Sequence, residues 1–236
     1  MSCKTNMMIA LDLLKEEACL TTRSSIYNLK EFWIRRNLEL PFYTLGAASP
    51  YDIPEDKQGY YIKAQYYNSI LYSHFSWLYE CIANTLKNYL KAPVCYPKQL
   101  ALPGFHIFLA HKRFEHPMGA IHCDTSYRFH WLPSENIDFN NPISFTLPVC
   151  LPKHGGGMYT WDLHYQEVKG YNHSQIEEIS ATREKSFHPY KVGKLYLQSG
   201  LLVHQIAPIK SLQAEDKRIT LQGHALLCQD CWQLHW

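Results

Sequence analysis

The sequence lacks an apolar run of about 18 residues, the length a membrane-spanning helix needs. It also lacks any block of basic residues longer than Arg35-Arg36. Neither a transmembrane span nor an electrostatic footprint for nucleic acid is expected. Charge of either sign is not in excess: 23 Lys and Arg face 21 Asp and Glu, for a formal net charge of +2. A secretory leader is not expected, because Asp12, Glu16 and Glu17 interrupt the short apolar piece near the N-terminus. The eight cysteines are scattered and make one C-x-x-C, Cys228 to Cys231, whereas structural zinc usually takes two such pairs. They read as reduced thiols of a cytoplasmic protein, with Cys228 and Cys231 two ordinary thiols near the end of the last strand. Gly155-Gly156-Gly157 is followed by no Lys-Ser/Thr and no helix, so it predicts a tight hairpin turn rather than a phosphate cradle.

What is present is a chain of 236 residues, 46% of them apolar, enough for one domain with a sizeable core. The first 98 residues read as mostly helical. Helices are expected at 7–19 and 25–36, and a loop rich in Pro, Gly and Asp from Pro41 to Gly59. The clearest helix carries Tyr67, Ile70, Leu71, His74, Trp77, Leu78, Cys81, Ile82, Leu86 and Tyr89 at three- and four-residue steps, and Pro93 ends it. From residue 99 the period changes to that of strands. Phe105–Ala110, Ile143–Leu151, the segment from Met158 to Leu163, Lys194–Gln198, Leu201–Ala207 and Arg218–Leu226 are expected strands. A turn is expected near Gln213–Lys217. Ser174 and Glu177 form a capping box, which predicts a short helix to about Thr182 as an insertion between strands.

The chemistry concentrates in a few positions. His122 and Asp124 are two apart, so on a strand they share a face while Cys123 points away. His204 lies inside the next-to-last expected strand and Arg218 opens the last one, and a hairpin between them is expected to set the two side by side. Two histidines and one carboxylate suit Fe(II), with positions left open for other ligands. His106, Tyr127, Arg128, Trp131 and His224 are candidates to line a pocket, and packing roles suit each of them as well. His106, His111 and His116 do not read as a metal set, because their spacing fits neither one face of a strand nor one face of a helix.

With these residues in place, the chain resembles the Fe(II)/2-oxoglutarate-dependent oxygenase superfamily. The resemblance runs from about Leu102 to Leu227, through Leu102–Phe108, Ala120–Tyr127, Gly155–Leu163, Val192–Pro208 and Arg218–His224. It implies an α+β fold: a double-stranded β-helix core, jelly-roll and cupin-like, over residues 99–236, with an N-terminal helical layer buttressing one sheet. It implies Fe(II) on His122, Asp124 and His204, and 2-oxoglutarate held by Arg218 with help from Thr220. The activity implied is O2-dependent hydroxylation of a small molecule, an amino acid or specialised metabolite, with release of succinate and CO2. Asp124 favours hydroxylation over halogenation, since halogenating relatives replace that carboxylate; desaturation and cyclisation stay open. A protein side-chain hydroxylase and a non-catalytic cupin-like binding protein are the alternatives. Nucleic-acid demethylation is disfavoured, because the second arginine those relatives place shortly after the first is missing here. Phe129–Pro142, after the His-x-Asp strand, is a candidate lid.

Overall fold

Residues 8–129 and 136–236 are described by a computed structural model. In chain order the elements are β1 (Ile9–Asp12), α1 (Glu16–Asn28), β2 (Ile34–Arg35), β3 (Phe42–Leu45), α2 (Ser49–Glu55), α3 (Lys57–Leu90), β4 (Val94–Cys95) and β5 (Gly104–Leu109). There follow β6 (Met118–His122), β7 (Ile137–Cys150), β8 (Met158–His164), α4 (Tyr165–Val168), α5 (His173–Ala181), β9 (Lys185–His188), β10 (Lys194–Ser199), β11 (Leu202–Ile206), β12 (Lys217–Cys228) and β13 (Cys231–His235). Among the described residues the strands form two sheets. The larger runs β1-β10-β7-β12-β5-β3-β2, with β13 on β12 and β4 on β13; the smaller runs β6-β11-β8-β9. From β5 to β12 the chain passes back and forth between the sheets, the winding of a double-stranded β-helix.

Alternation along the strands gives the large sheet two unlike faces. Ile219, Leu221 and Ala225 of β12, Phe105 and Ile107 of β5, Phe145 and Leu147 of β7, and Leu195 and Leu197 of β10 join one cluster with Leu71, Phe75, Leu78, Ile82 and Leu86 of α3. The helical layer therefore covers the outer face, and each Leu, Ile or Phe side chain there contributes about 1.5–3 kcal/mol by leaving water. The opposite face is polar: Arg218, Thr220 and His224 of β12, His106 of β5, Ser144 and Thr146 of β7, and Gln198 of β10 are all buried. The small sheet turns Trp161, Leu163 and Val203 outward against Ile176 and Ile179 of α5. The space between the sheets is thus rich in hydrogen-bonding groups, with the rings of Phe108 and Tyr196 set among them.

Several N-terminal expectations need correction. Residues 7–19 are not one helix: Ile9–Asp12 is the edge strand β1, paired with β10, and α1 starts only at Glu16. Residues 25–36 hold the end of α1, a 3-10 turn (Lys30–Phe32) and β2. The span Pro41–Gly59 contains β3 and α2 instead of a loop. A buried ion cluster organises it: Arg36 donates to both carboxylate oxygens of Asp52 at 2.7 and 2.9 Å, and Lys63 of α3 reaches Asp52 at 2.6 Å. Burial opposes the charge on Asp52, but these partners hold its pKa below the usual carboxylate value.

The long helix begins earlier than its apolar stripe, at Lys57, where Asp56 caps it by accepting from the Gln58 amide at 3.0 Å. It ends at Leu90, before Pro93. The α5 cap is Asn172 with Gln175, two residues before the expected Ser174–Glu177 box. Gly155–Gly157 is not a hairpin turn, because β7 and β8 lie in different sheets. It is a crossing point where Gly155 bridges Ile209, and a side chain on Gly155 (φ +90°) would meet the Pro208 carbonyl. Of the candidate lid, residues 130–135 lie outside the described residues, and Ile137 to Pro142 is the first part of β7.

Leu78→Ala should remove about 2–5 kcal/mol from the unfolding free energy, since Leu78 is fully buried between α3 and the large sheet. Urea unfolding at constant m-value checks this. A loss below about 1 kcal/mol would show that α3 does not carry the core.

Candidate metal centre and its surroundings

His122 and His204 meet because their strands pair: they are register partners across β6 and β11. Their ring centroids are 4.5 Å apart. Each ring is fixed by its own strand, with His122 Nδ1 2.8 Å from the Ala120 carbonyl and His204 Nδ1 2.9 Å from that of Leu202. A carbonyl accepts only, so both Nδ1 atoms carry the proton and both Nε2 lone pairs are free. Asp124 lies just beyond the end of β6, where its amide donates to the Gly200 carbonyl at 2.9 Å. Its Oδ1 is 3.6 Å from His122 Nε2 and its Oδ2 3.4 Å from His204 Nε2. Cys123 faces away, into the apolar cluster beneath α5. Neighbouring ligand atoms on one octahedral metal lie about 3 Å apart, at metal–ligand distances near 2.1 Å. The three side chains form the one group of metal-ligating spacing among the described residues.

Burial and mutual charge act against each other within the cluster. Burial disfavours charge on Asp124, but His204 and His122 hold its carboxyl well below the usual range. Burial pushes His204 down to about 4, against the pull of Asp124. On His122 burial acts in the same sense but the contact with Asp124 outweighs it, so its pKa is raised. The His122 side chain is 41% exposed and that of His204 5%, so the cluster opens to solvent on the His122 side.

Arg218 corrects one expectation. It does not sit beside His204 on a hairpin, because β11 belongs to the small sheet and β12 to the large one. It lies on the inner face of the large sheet, fully buried. Nη1 donates to Thr220 Oγ1 at 3.3 Å, while Nε and Nη2 have no hydrogen-bond partner among the described residues. Phe108 and Tyr190 flank the guanidinium, each ring 5.8 Å away. Burial pushes it down to about 10, which leaves it charged at neutral pH. Thr220 Oγ1 also accepts from Gln222 at 3.3 Å, so its own hydroxyl proton is left for a ligand.

The remaining candidates differ. His106 is register partner of Thr220 and is 5% exposed, with neither ring nitrogen hydrogen-bonded. Phe42, Tyr51 and Trp236 surround it edge-on. Tyr127 is fully buried, its hydroxyl beside the Arg128 guanidinium. His224 Nδ1 is 3.2 Å from the Ser144 hydroxyl. Arg128 is partly committed: Nη2 donates to the Phe139 carbonyl at 3.0 Å, and the rings of Phe139 and Tyr165 lie over its guanidinium. Trp131 lies outside the described residues. Gln198, whose Oε1 is buried without a partner, and Tyr190 were missed. Alternation on β10 could have found Gln198; Tyr190 lies between strands, where no period marks it.

Fold and cluster together define a double-stranded β-helix protein with a facial set of two histidines and one carboxylate, the fold of the Fe(II)/2-oxoglutarate-dependent oxygenases. An N-substituted L-amino acid dioxygenase from Burkholderia ambifaria, solved with alpha-KG, superposes with a TM-score of 0.61 over 97% of this chain and 86% of its own, at 12% identity. SnoK, an alpha-ketoglutarate-dependent carbocyclase of nogalamycin biosynthesis, gives 0.54 over 96% and 79% at 13%. SnoN, an epimerase of the same biosynthesis, gives 0.52 over 93% and 77% at 11%. No family profile and no curated protein matches the sequence. Among the described residues no helix is long and apolar enough to cross a membrane.

Burial and the charge of Arg218 push the His106 pKa down to about 3. Between about pH 6.5 and 3 the unfolded chain therefore binds a proton that the folded chain refuses. As pH drops from about 6.5 to 3, stability should decrease by about 1.4 kcal/mol per unit for this one group. His106→Gln should flatten the slope by that amount in unfolding titrations at graded pH; an unchanged slope would mean that His106 is not held neutral.

Proposed function

We propose that this protein is an Fe(II)- and 2-oxoglutarate-dependent oxygenase that hydroxylates an unactivated C–H bond of a small molecule. The observation that carries the reading is Arg218: a buried, charged guanidinium, with two unpartnered nitrogens and no carboxylate partner among the described residues. An unpaired buried charge costs several kcal/mol. A dicarboxylate entering between the sheets would relieve that cost, and a purely structural jelly roll has no use for such a residue.

In this reading His122, Asp124 and His204 hold Fe(II), and the bound Fe(II) with 2-oxoglutarate and O2 supplies the oxidising chemistry, yielding succinate and CO2. The protein's part is placement. The Ala120 and Leu202 carbonyls keep the Nε2 atoms directed at the metal. Arg218, with Nε and Nη2 free, would hold a carboxylate of 2-oxoglutarate, and the Thr220 hydroxyl would help. His106 stays neutral, so it adds no second cation beside Arg218 and can offer either ring nitrogen to a bound ligand. At the other end of the polar face, Tyr127, His224 and Gln198 have hydrogen-bonding capacity for substrate, while Arg128 mainly shapes the wall. The presence of Asp124 supports hydroxylation, and the likeness to a carbocyclase and an epimerase leaves the fate of the substrate carbon open.

Removing one partner of a buried charge pair costs about 2–5 kcal/mol, roughly a 30- to several-thousand-fold loss of affinity. Arg218→Ala should weaken 2-oxoglutarate binding to the Mn(II)-loaded protein by that factor while metal affinity is kept; anaerobic calorimetry reads both. Equal 2-oxoglutarate affinity in the variant would take the arginine out of the site. Asp124→Ala should abolish iron- and substrate-dependent succinate formation, and persistent turnover would refute the assignment of the metal centre.

A further inference from the structure

The lone C-x-x-C of the sequence gains a third thiol in the fold. Cys228 ends β12 and Cys231 opens β13, register partners across a two-residue turn. On the other side β13 pairs in parallel with β4, which places Gln233 beside Cys95. The Cys231 and Cys95 sulfurs are 3.2 Å apart, although the two residues are 136 apart in sequence. Cys95 is exposed and Cys231 partly so, and the seven described cysteines form no disulfide. Neither thiol belongs to the metal cluster, whose residues are His122, Asp124 and His204.

We propose that Cys95 and Cys231 are a redox modification site, a dithiol that closes reversibly to a disulfide. Two thiols this close need only a small rotation to form the bond, and β4, two residues long, gives little resistance to the adjustment. The step is a two-electron oxidation. Cys95 and Cys231 lose two protons and two electrons as their S–S bond forms. A small-molecule disulfide such as oxidised glutathione accepts them, its own S–S bond breaking to give two thiols. One thiolate attacks the small-molecule disulfide and forms the mixed disulfide, releasing one glutathione thiol; the other cysteine then displaces the second. The exposure of Cys95 and the solvent-facing edge of β4 give the oxidant access.

The bond would matter beyond the edge of the sheet. The strand that starts at Cys231 leads to Trp236, which is buried, donates its amide to the Ala101 carbonyl at 2.9 Å and packs edge-on against His106 at 5.1 Å. Joining β4 to β13 would pin the segment that backs this wall of the site. The closed loop is long, so the crosslink removes much freedom from the unfolded chain.

The test equilibrates the full-length protein in glutathione buffers of graded oxidation, quenches with acid, alkylates the remaining thiols and maps the peptides. A Cys95–Cys231 crosslink should grow with oxidised glutathione and vanish with dithiothreitol. The unfolding midpoint should rise by roughly 5–10 °C in the oxidised form. Cys95→Ser should lose both effects, and Cys228→Ser should keep both. Full alkylation of Cys95 at every ratio, a bond between Cys228 and Cys231 instead, or glutathione left on Cys95 would each overturn the proposal.

Discussion

A buried guanidinium with no carboxylate partner among the described residues is the constraint on which the architecture turns. Arg218 is wholly out of water on the inner face of a sheet, with one bond to Thr220 and two nitrogens unpartnered. Core packing would favour an apolar residue there, and the outer face of the same strand, Ile219, Leu221 and Ala225, shows what such packing looks like. The chain keeps the cation, flanks it with Phe108 and Tyr190, and sets neutral His106 on the neighbouring strand. In the proposed function, binding of a charged cosubstrate would regain the stability given up at this position.

The helical layer makes this possible. Because α3 and α1 bury the outer face, the large sheet needs no apolar inner face, and the space between the sheets is free to be polar. Across that space the small sheet contributes the two histidines as register partners. The crossings between sheets, not a hairpin, bring Arg218 and the histidines to one interior. In the proposed function each sheet would supply one half of the site, and the Asp52 ion cluster ties Arg36, α2 and α3 together beside the large sheet.

The convergence of His122, Asp124 and His204 was legible because strand period and ligand chemistry point the same way. The long helix was legible from its stripe, though its first turns were not: Lys57 to Tyr66 is held by a cap and by neighbouring elements rather than by a clean period. The edge strand Ile9–Asp12 was mistaken for helix because four residues carry little period of their own; pairing with β10 decides them. The hairpin readings of Gly155–Gly157 and of β11 with β12 failed for a shared reason. Adjacent strands joined by a short connection usually pair, and in this winding they go to opposite sheets. Ser144 emerges only when the inner face is assembled from strands far apart in sequence, and Tyr190 lies between strands, where no period marks it.

The most direct measurement is an anaerobic optical titration: Fe(II) added to the protein, then 2-oxoglutarate. The account predicts a weak visible charge-transfer band from a chelated 2-oxoacid, saturating with 2-oxoglutarate and missing in His204→Ala. No band, with tight binding of a different metal at the same three residues, would contradict it and leave a jelly roll that binds metal without this chemistry.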